Sequence, residues 1–507
     1  MSHAARPLIT PDDAYNRELL RNLHPSDWVN PKPAGRYNLV VIGAGTAGLV
    51  SSAGGAALGA KVALIERHLM GGDCTNYGCV PSKAIIRSAR AAYAVREAPG
   101  LGISAHNGEY ANFACVMERM RRLRAQISAN DSVERFSRLG AEVYLGDAKF
   151  VGKNEIEVNG RRLSFSKAII ATGARAANLN LPGFQEVGYF TNETIFSLEE
   201  LPKSLLVIGG GPIGCELAQT FRRFGSEVTL LSRGERLLPR DDADAAKILQ
   251  RRFEHEGIRL IFGAKLLRAE RENGVREVTF DKGGREEKIA AHAILLAVGR
   301  QSNLEGLNTE AVGVRIDKSG VLVDDTLRTT NHDIYAAGDI CSPYQFTHAA
   351  EAMARVAIQN ALFFGRKRAS DLVIPWTTYT DPEVAHVGIT EKEAANRGDV
   401  VVTFTKELAD TDRAILDGET EGYVRLYMNR KDGRLLGATI VGSHAGESIG
   451  EAVLAITQKL KVGHLSGVIH PYPTQAEAIK RAADLQFRSR LKPWMRRFLE
   501  KYFRYRR

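Results

Sequence analysis

Cysteine is scarce in this chain. Five cysteines in 507 residues are too few, and odd in number, for a disulfide-stapled scaffold, so any bridge that forms is more readily catalytic than structural. Prolines number only 17, while 44% of residues are hydrophobic and 25% charged, a balance that excludes collagen, low-complexity sequence and intrinsic disorder. Residues 1–36 hold no basic segment followed by an apolar run, so no secretory leader is expected and a cytoplasmic location is. One stretch without charge, Asn38 to Ala60, is long enough to suggest a membrane span, but its six glycines dilute it.

Glycine is what the chain has in excess: 48 residues of 507, above the usual share of about 7%. Several sit in tight clusters, where backbone approaches something closely. The length suggests about three domains. The net charge of +10 is uneven, because residues 488–507 carry nine bases and the single acid Glu500, a net +8 that leaves +2 for the other 487 residues. This basic tail spaces Trp494, Phe498 and Tyr502 four apart, with Met495, Leu499 and Phe503 beside them, an apolar stripe at helical period. Two readings stand: a helix docked on an anionic membrane surface, or one packed on its own body or a partner subunit. Nucleic acid is not expected, since no recognition motif accompanies the basic patch.

The glycine clusters have a pattern. An apolar strand, Tyr37 to Ile42, runs into Gly43-Ala44-Gly45-Thr46-Ala47-Gly48, then a small-residue helix, then a strand from Lys61 that delivers Glu66. Gly43 permits the tight turn, Gly45 lets the backbone reach a pyrophosphate, and Gly48 lets helix and strand pack closely. The helix N-terminus then faces the phosphates and Glu66 accepts from ribose hydroxyls. The pattern recurs 166 residues later with strand Ser204 to Ile208, turn glycines Gly209, Gly211 and Gly214, and strand Val228 to Leu231. The chain is therefore expected to bind two dinucleotides. Where the acid would stand the second copy has Ser232, followed by Arg233 and Arg236. These suit a 2′-phosphate and point to NADPH, unless both arginines are only solvated loop residues.

After the first unit comes Gly71-Gly72-Asp73-Cys74-Thr75-Asn76-Tyr77-Gly78-Cys79-Val80-Pro81-Ser82-Lys83. Cysteines with four residues between them can close a small ring as a disulfide, or open to a dithiol whose thiolate is favoured by a helix N-terminus and a nearby lysine. Cys115, Cys215 and Cys341 read as buried apolar residues.

With these motifs the sequence resembles the class I pyridine nucleotide-disulfide oxidoreductases, the flavoprotein disulfide reductases. Ala171-Thr172-Gly173, Ala297-Val298-Gly299-Arg300, Ala336-Ala337-Gly338-Asp339 and His470-Pro471-Tyr472-Pro473-Thr474-Gln475-Ala476-Glu477 add to the match in order and spacing. The resemblance implies an α/β fold with two Rossmann-like dinucleotide-binding domains, for FAD and NADPH, and a C-terminal α+β dimerisation domain. The expected boundaries are 1–36 for an N-terminal extension, 37–190 and 301–370 for the FAD-binding parts, 191–300 for the NAD(P)H-binding domain, 371–487 for dimerisation and 488–507 for the tail.

It further implies cofactor contacts from Gly43, Gly45, Gly48, Glu66, Thr172, Gly173, Gly338 and Asp339 to FAD, and from Gly209, Gly211, Gly214, Arg233, Arg236 and Gly299 in the nucleotide-binding parts. Lys83, paired with Glu216, would lie near the flavin. Cys79 would stand against the flavin and Cys74 would face substrate as the interchange thiol. In a homodimer, Tyr472 and Glu477 would reach the partner's site. Asp73 departs from relatives that carry a hydroxyl residue there, and a carboxylate beside Cys74 is expected to raise that thiol's pKa and slow exchange.

In disulfide-reducing members a His precedes the cis-proline and acts as base. Here Tyr472 takes that place, as in mercuric reductases, and a phenol of pKa ~10 is a poor proton shuttle near neutrality. Hg(II), which binds thiolates, is thus the favoured acceptor. Against it stands the lack of vicinal cysteines beyond Cys341 and of a Cys-x-x-Cys segment in residues 1–36. The alternatives are a disulfide reductase of the dihydrolipoamide dehydrogenase or glutathione reductase kind, and a membrane-surface flavin redox sensor. His470 would share the face of Tyr472 in an extended segment, although a structural His is the expected reading.

Overall fold

The computed structural model describes residues 9–104, 111–272, 274–363, 365–490 and 493–507. The chain divides into two compact units, one made of residues up to 209 with 220–229 and 265–372, the other of 210–219, 230–264 and 373–507.

In the first unit, Tyr37–Ile42 pairs in parallel with Val62–Glu66 on one side and Arg161–Ile170 on the other, and Ala141–Leu145 and Ile334–Ala336 extend the parallel core. Glu155–Val158 and Ala148–Gly152 continue the sheet antiparallel, making seven strands. Both faces of the central strands are covered, so they are apolar without interruption. Leu39 and Val41 join one buried layer with Leu64 and Ile169, while Val40 and Ile42 join the other with Ile65 and Ile170. The helix Thr46–Ala57 packs on Thr347–Leu362. Small residues allow this approach: a Cβ on Gly54 would come within 2.9 Å of Ile358.

Residues preceding the first strand belong to this unit's core. Asp13 caps the helix Ala14–Leu23 by accepting from the Asn16 amide, and Leu19 and Leu23 are fully buried. Trp28 Nε1 donates to the Val143 carbonyl, and the Asn30 side chain both donates to and accepts from Leu145. The extension thus covers the edge strand Ala141–Leu145.

A second strand and glycine turn follow. Ser204–Ile208 pairs in parallel with Ala293–Leu296 and leads through the turn into the helix Pro212–Phe224. Ala264–Glu272, Val275–Lys282 and Arg285–Ala291 form a three-stranded sheet in chain order.

The second unit is α+β. Its five-stranded antiparallel sheet has the order Trp376–Thr378, Glu383–Gly388, Leu435–Gly442, Tyr423–Asn429, Val401–Glu407. Ala445–Thr457 and Glu477–Arg490 pack against it and bury Ile449, Ala452, Ile479 and Ala482 in the core beneath. The final helix, Pro493–Tyr505, buries no residue.

Candidate active site

Cys74 and Cys79 lie on consecutive helical pieces, Gly72–Asn76 and Cys79–Glu97. The second begins at Cys79 itself, where Pro81 is compatible with a first helical turn. Both cysteines are free thiols. Cys79 Sγ lies 3.3 Å from the Thr347 hydroxyl, and Thr347 opens the helix Thr347–Leu362. A hydrogen bond from Cys74 holds the Cys79 thiol below its ordinary pKa against the opposing effect of burial, with Thr347 and the Lys83 charge adding to the lowering. The same bond, together with burial, drives the Cys74 thiol upward. The pair is therefore polarised, with Cys79 the more readily ionised sulfur.

Asp73 is not a bare charge beside Cys74. Arg300 donates to it at 3.0 Å, and Asn192 donates at 2.9 Å. Arg300 also lies 3.4 Å from Asp339 and donates to the Ala174 carbonyl at 2.7 Å. Burial pulls the guanidinium's pKa down, but Asp73 and Asp339 outweigh it and leave it above its usual value. Asp73 still adds to the raising of the Cys74 thiol, as expected, and the motif Ala297-Val298-Gly299-Arg300 supplies its counter-charge.

The first glycine turn fits a pyrophosphate. Gly43 has φ +98°, and a Cβ there would meet Ala171 and Thr172 backbone. A Cβ on Gly48 would fall on the Gly43 carbonyl. The helix Thr46–Ala57 has no side-chain cap at Gly45, and Thr347–Leu362 has none at Phe346. Gly338, at φ +85°, lies between their first turns, where a Cβ would be 3.3 Å from both Ala47 and Ala350. Two uncapped N-termini thus flank Gly338-Asp339, a setting suited to phosphate oxygens.

Glu66 is buried and accepts from the Ala44 and His68 amides at 2.7 Å each. Burial raises its pKa, as it does that of Asp339. A carboxylate has about four acceptor positions, so Glu66 retains capacity for ribose hydroxyls. The Thr172 hydroxyl donates to the Asn303 carbonyl at 2.8 Å, and Gly173, at φ +66°, accepts from the Asn303 amide. These two hold their loop by side chain and main chain, and only the backbone of Thr172 faces Gly43.

At the second turn, a Cβ on Gly209 would fall on the Ala297 carbonyl, Gly211 is open, and Gly214 is buried. Gly299 has φ +129°. Ser232 is buried and accepts from the Gly234 amide, and Arg233 is exposed. Arg236 holds its own loop. Its guanidinium donates to the carbonyls of Leu238, Pro239, Asp241 and Asp242 at 2.8–3.4 Å, clasping its own loop. Glu216 is buried and accepts from the Tyr379 amide at 2.9 Å.

In the second unit the Tyr472–Pro473 bond is cis. Tyr472 is 67% exposed, and its hydroxyl donates to Asp412 at 2.8 Å. That bond raises its pKa and keeps it a protonated donor. Glu477 instead holds Arg481 at 3.0 Å, and Arg481 lies 3.7 Å from Asp412. Asp412 carried no sequence signal, standing sixty residues from Tyr472 in no motif. His470 is buried against Glu451 at 3.0 Å. The segment is not a strand, and the two side chains take different partners, Glu451 for His470 and Asp412 for Tyr472. Cys215 is buried and Cys341 partly so, whereas Cys115 is exposed, a correction to its expected burial: it lies on the outward side of the amphipathic helix Phe113–Ser128.

Comparison with known proteins accords with this geometry. Residues 37–354 match the family described as pyridine nucleotide-disulphide oxidoreductase, and residues 374–483 match its dimerisation domain. Mercuric reductase from Bacillus cereus is 36% identical over 88% of this chain and 71% of its own length. Dihydrolipoyl dehydrogenase from Thermus scotoductus is 35% identical over 88% and 97%. The solved structure of the HOCl-induced flavoprotein disulfide reductase RclA from Escherichia coli superposes with a TM-score of 0.80 at 27% identity, covering 89% of this chain and all of that one.

The chain belongs to the pyridine nucleotide-disulphide oxidoreductases. It is accordingly an oxidoreductase of an FAD-dependent family that uses a pyridine nucleotide, with two nucleotide-binding folds and a dimerisation domain that supports a homodimer.

Proposed function

We propose that this protein is an NADPH-dependent oxidoreductase that passes an electron pair through Cys74 and Cys79 to a thiol-reactive acceptor, with Hg(II) the favoured one. The observation that carries the reading is the cysteine pair on consecutive helical pieces, with Cys79 Sγ 3.3 Å from the Thr347 hydroxyl at the start of the helix Thr347–Leu362. FAD, for which the Gly43–Gly48 turn, Glu66 and Asp339 are suited, supplies two-electron redox chemistry between the nicotinamide and this pair.

The chain's own residues do the rest. On reduction the Cys74–Cys79 bond takes up two electrons and opens, and Lys83 and the Thr347 hydroxyl favour the negative charge left on Cys79. Cys74 is the sulfur that meets the acceptor. A soft cation binds thiolate sulfur strongly enough to displace the Cys74 proton to solvent, which suits a site where Tyr472 stands in place of the family's His and its hydroxyl donates to Asp412. The balance is NADPH plus Hg(II) to NADP⁺, H⁺ and Hg(0). NADPH over NADH rests on Ser232 and the exposed Arg233. The 35% identity to a dihydrolipoyl dehydrogenase supports a disulfide acceptor as the second reading.

Anaerobic titration of the flavin-loaded protein with NADPH tests the electron path: four electrons per subunit are expected, with a long-wavelength thiolate–flavin band. Uptake of only two, with both cysteines already open to alkylation, would overturn it. Adding Hg(II), lipoamide or oxidised glutathione to the reduced protein then separates the acceptors. Discharge by a disulfide and not by Hg(II) selects the second reading.

A further inference from the structure

The chain's last helix, Pro493–Tyr505, has no buried residue. Stepping round it at roughly 100° per residue, Trp494, Phe498, Tyr502, Met495, Leu499 and Phe503 fill one continuous half. Arg496, Arg497, Lys501 and Arg504 fill the other, together with Glu500. The apolar half is open: Trp494 is 65% exposed, Phe498 64% and Phe503 57%. Most helical stability in proteins comes from packing an apolar face; here Met495 and Leu499 at the centre of the face are half-buried, and among the described residues nothing buries it.

We infer that this helix lies in the headgroup region of an anionic lipid bilayer, apolar half inward, and holds the enzyme at a membrane surface. Charge selects the occupant. Residues 488–507 carry net +8 while the other 487 carry +2, so a second tail would be repelled and the body of a second copy offers no net negative charge to attract this one. Anionic headgroups do, and arginine and lysine on the polar half reach them while the aromatic rings sit at the interface. The one acid, Glu500, is 3.4 Å from Arg496, so it presents little repulsion to a negative surface. Among the described residues no helix is long and apolar enough to cross a membrane, and this one lies on the surface rather than through it.

The test uses the full-length, flavin-loaded protein and flotation with two kinds of vesicle, phosphatidylcholine alone and equal parts phosphatidylcholine and phosphatidylglycerol. Binding to the anionic vesicles is expected to be at least about tenfold tighter and to fall in high salt. Trp494→Ser with Phe498→Ser removes apolar surface and no charge, and is expected to lose binding about tenfold while NADPH oxidation in solution is unchanged. Equal binding to neutral vesicles, binding that survives this pair of substitutions, or a stronger preference for duplex DNA overturns the inference. So does dissociation of the variant into monomers, which would assign the helix to subunit contact.

Discussion

Arg300 donates to the carboxylate of Asp73 at 3.0 Å, which ties a residue next to a reactive cysteine to the start of a strand 227 positions away. The same guanidinium lies 3.4 Å from Asp339. One cation therefore serves two carboxylates, the first beside Cys74 and the second beside the proposed flavin site. All three side chains are largely enclosed, at 13%, 29% and 17% exposure for Arg300, Asp73 and Asp339.

Arg300→Gln removes the shared counter-charge. Stability is expected to drop by about 2–3 kcal/mol, below the full cost of breaking a buried pair because Asp73 keeps some solvent. The unscreened carboxylates should also raise the Cys79 midpoint, since Asp73 already opposes its ionisation. Asp73→Asn in the same background should reverse the thiol shift. Urea unfolding and the ultraviolet absorbance of the thiolate measure the two effects.

In the reduced protein Cys79 should titrate near the lowered value of about 6. Thr347→Val deletes a hydrogen bond to the thiolate and should move that midpoint up by about 1 unit, the equivalent of roughly 1.5 kcal/mol. The sign for stability follows from a folded pKa below the unfolded one. The thiolate's contribution is complete above the unfolded thiol value of about 8.5 and is lost as pH falls through about 6. A midpoint that ignores Thr347 would contradict the assignment.

Asp412 raises the pKa of the Tyr472 hydroxyl, so Asp412→Asn is expected to lower the phenolate titration, read by ultraviolet difference absorbance. Activity near neutrality should show no ionisation from Tyr472. Tyr472→His should increase disulfide reduction if a missing base limits that reaction, with an unchanged rate pointing elsewhere.

Much of this was legible in the sequence, and the misses have physical causes. Strand, turn and helix at Gly43–Gly48 follow from local rules, because each glycine answers a steric demand made within a few residues or by the adjoining strand. The roles of Arg236 and Asp412 do not. Arg236 curls back on four carbonyls of its own loop, and no residue type announces such a contact. Asp412 meets Tyr472 only through the tertiary fold. Asp73 is legible beside Cys74, whereas its counter-charge Arg300 stands 227 residues away, which local spacing does not reveal.

The two arginines after Ser232 should separate cleanly. Arg233→Ala is expected to raise the KM for NADPH by about tenfold, the loss of one charge-assisted contact, with little change for NADH. Arg236→Ala should affect both nucleotides alike and lower thermal stability, because it releases the loop. Steady-state kinetics with each nucleotide and a melting curve distinguish them.

If Tyr472 serves the partner subunit's site, mixing a Cys79→Ser subunit with a Tyr472→Phe subunit should regenerate some activity, since one of the two sites in each heterodimer is intact. No recovery, with subunit exchange demonstrated by mass, would count against shared sites.

Arg124 is 3% exposed, and it reaches in two directions, donating to the Asn16 side chain at 2.7 Å and to the Asn76 carbonyl at 2.9 Å. Asn76 stands between the two sulfurs in the chain. The residues ahead of the first strand are therefore a brace under the dithiol loop, and whatever loosens that brace, a cut, a tag or a partner pulling on it, will be felt as a change in how the two thiols face each other.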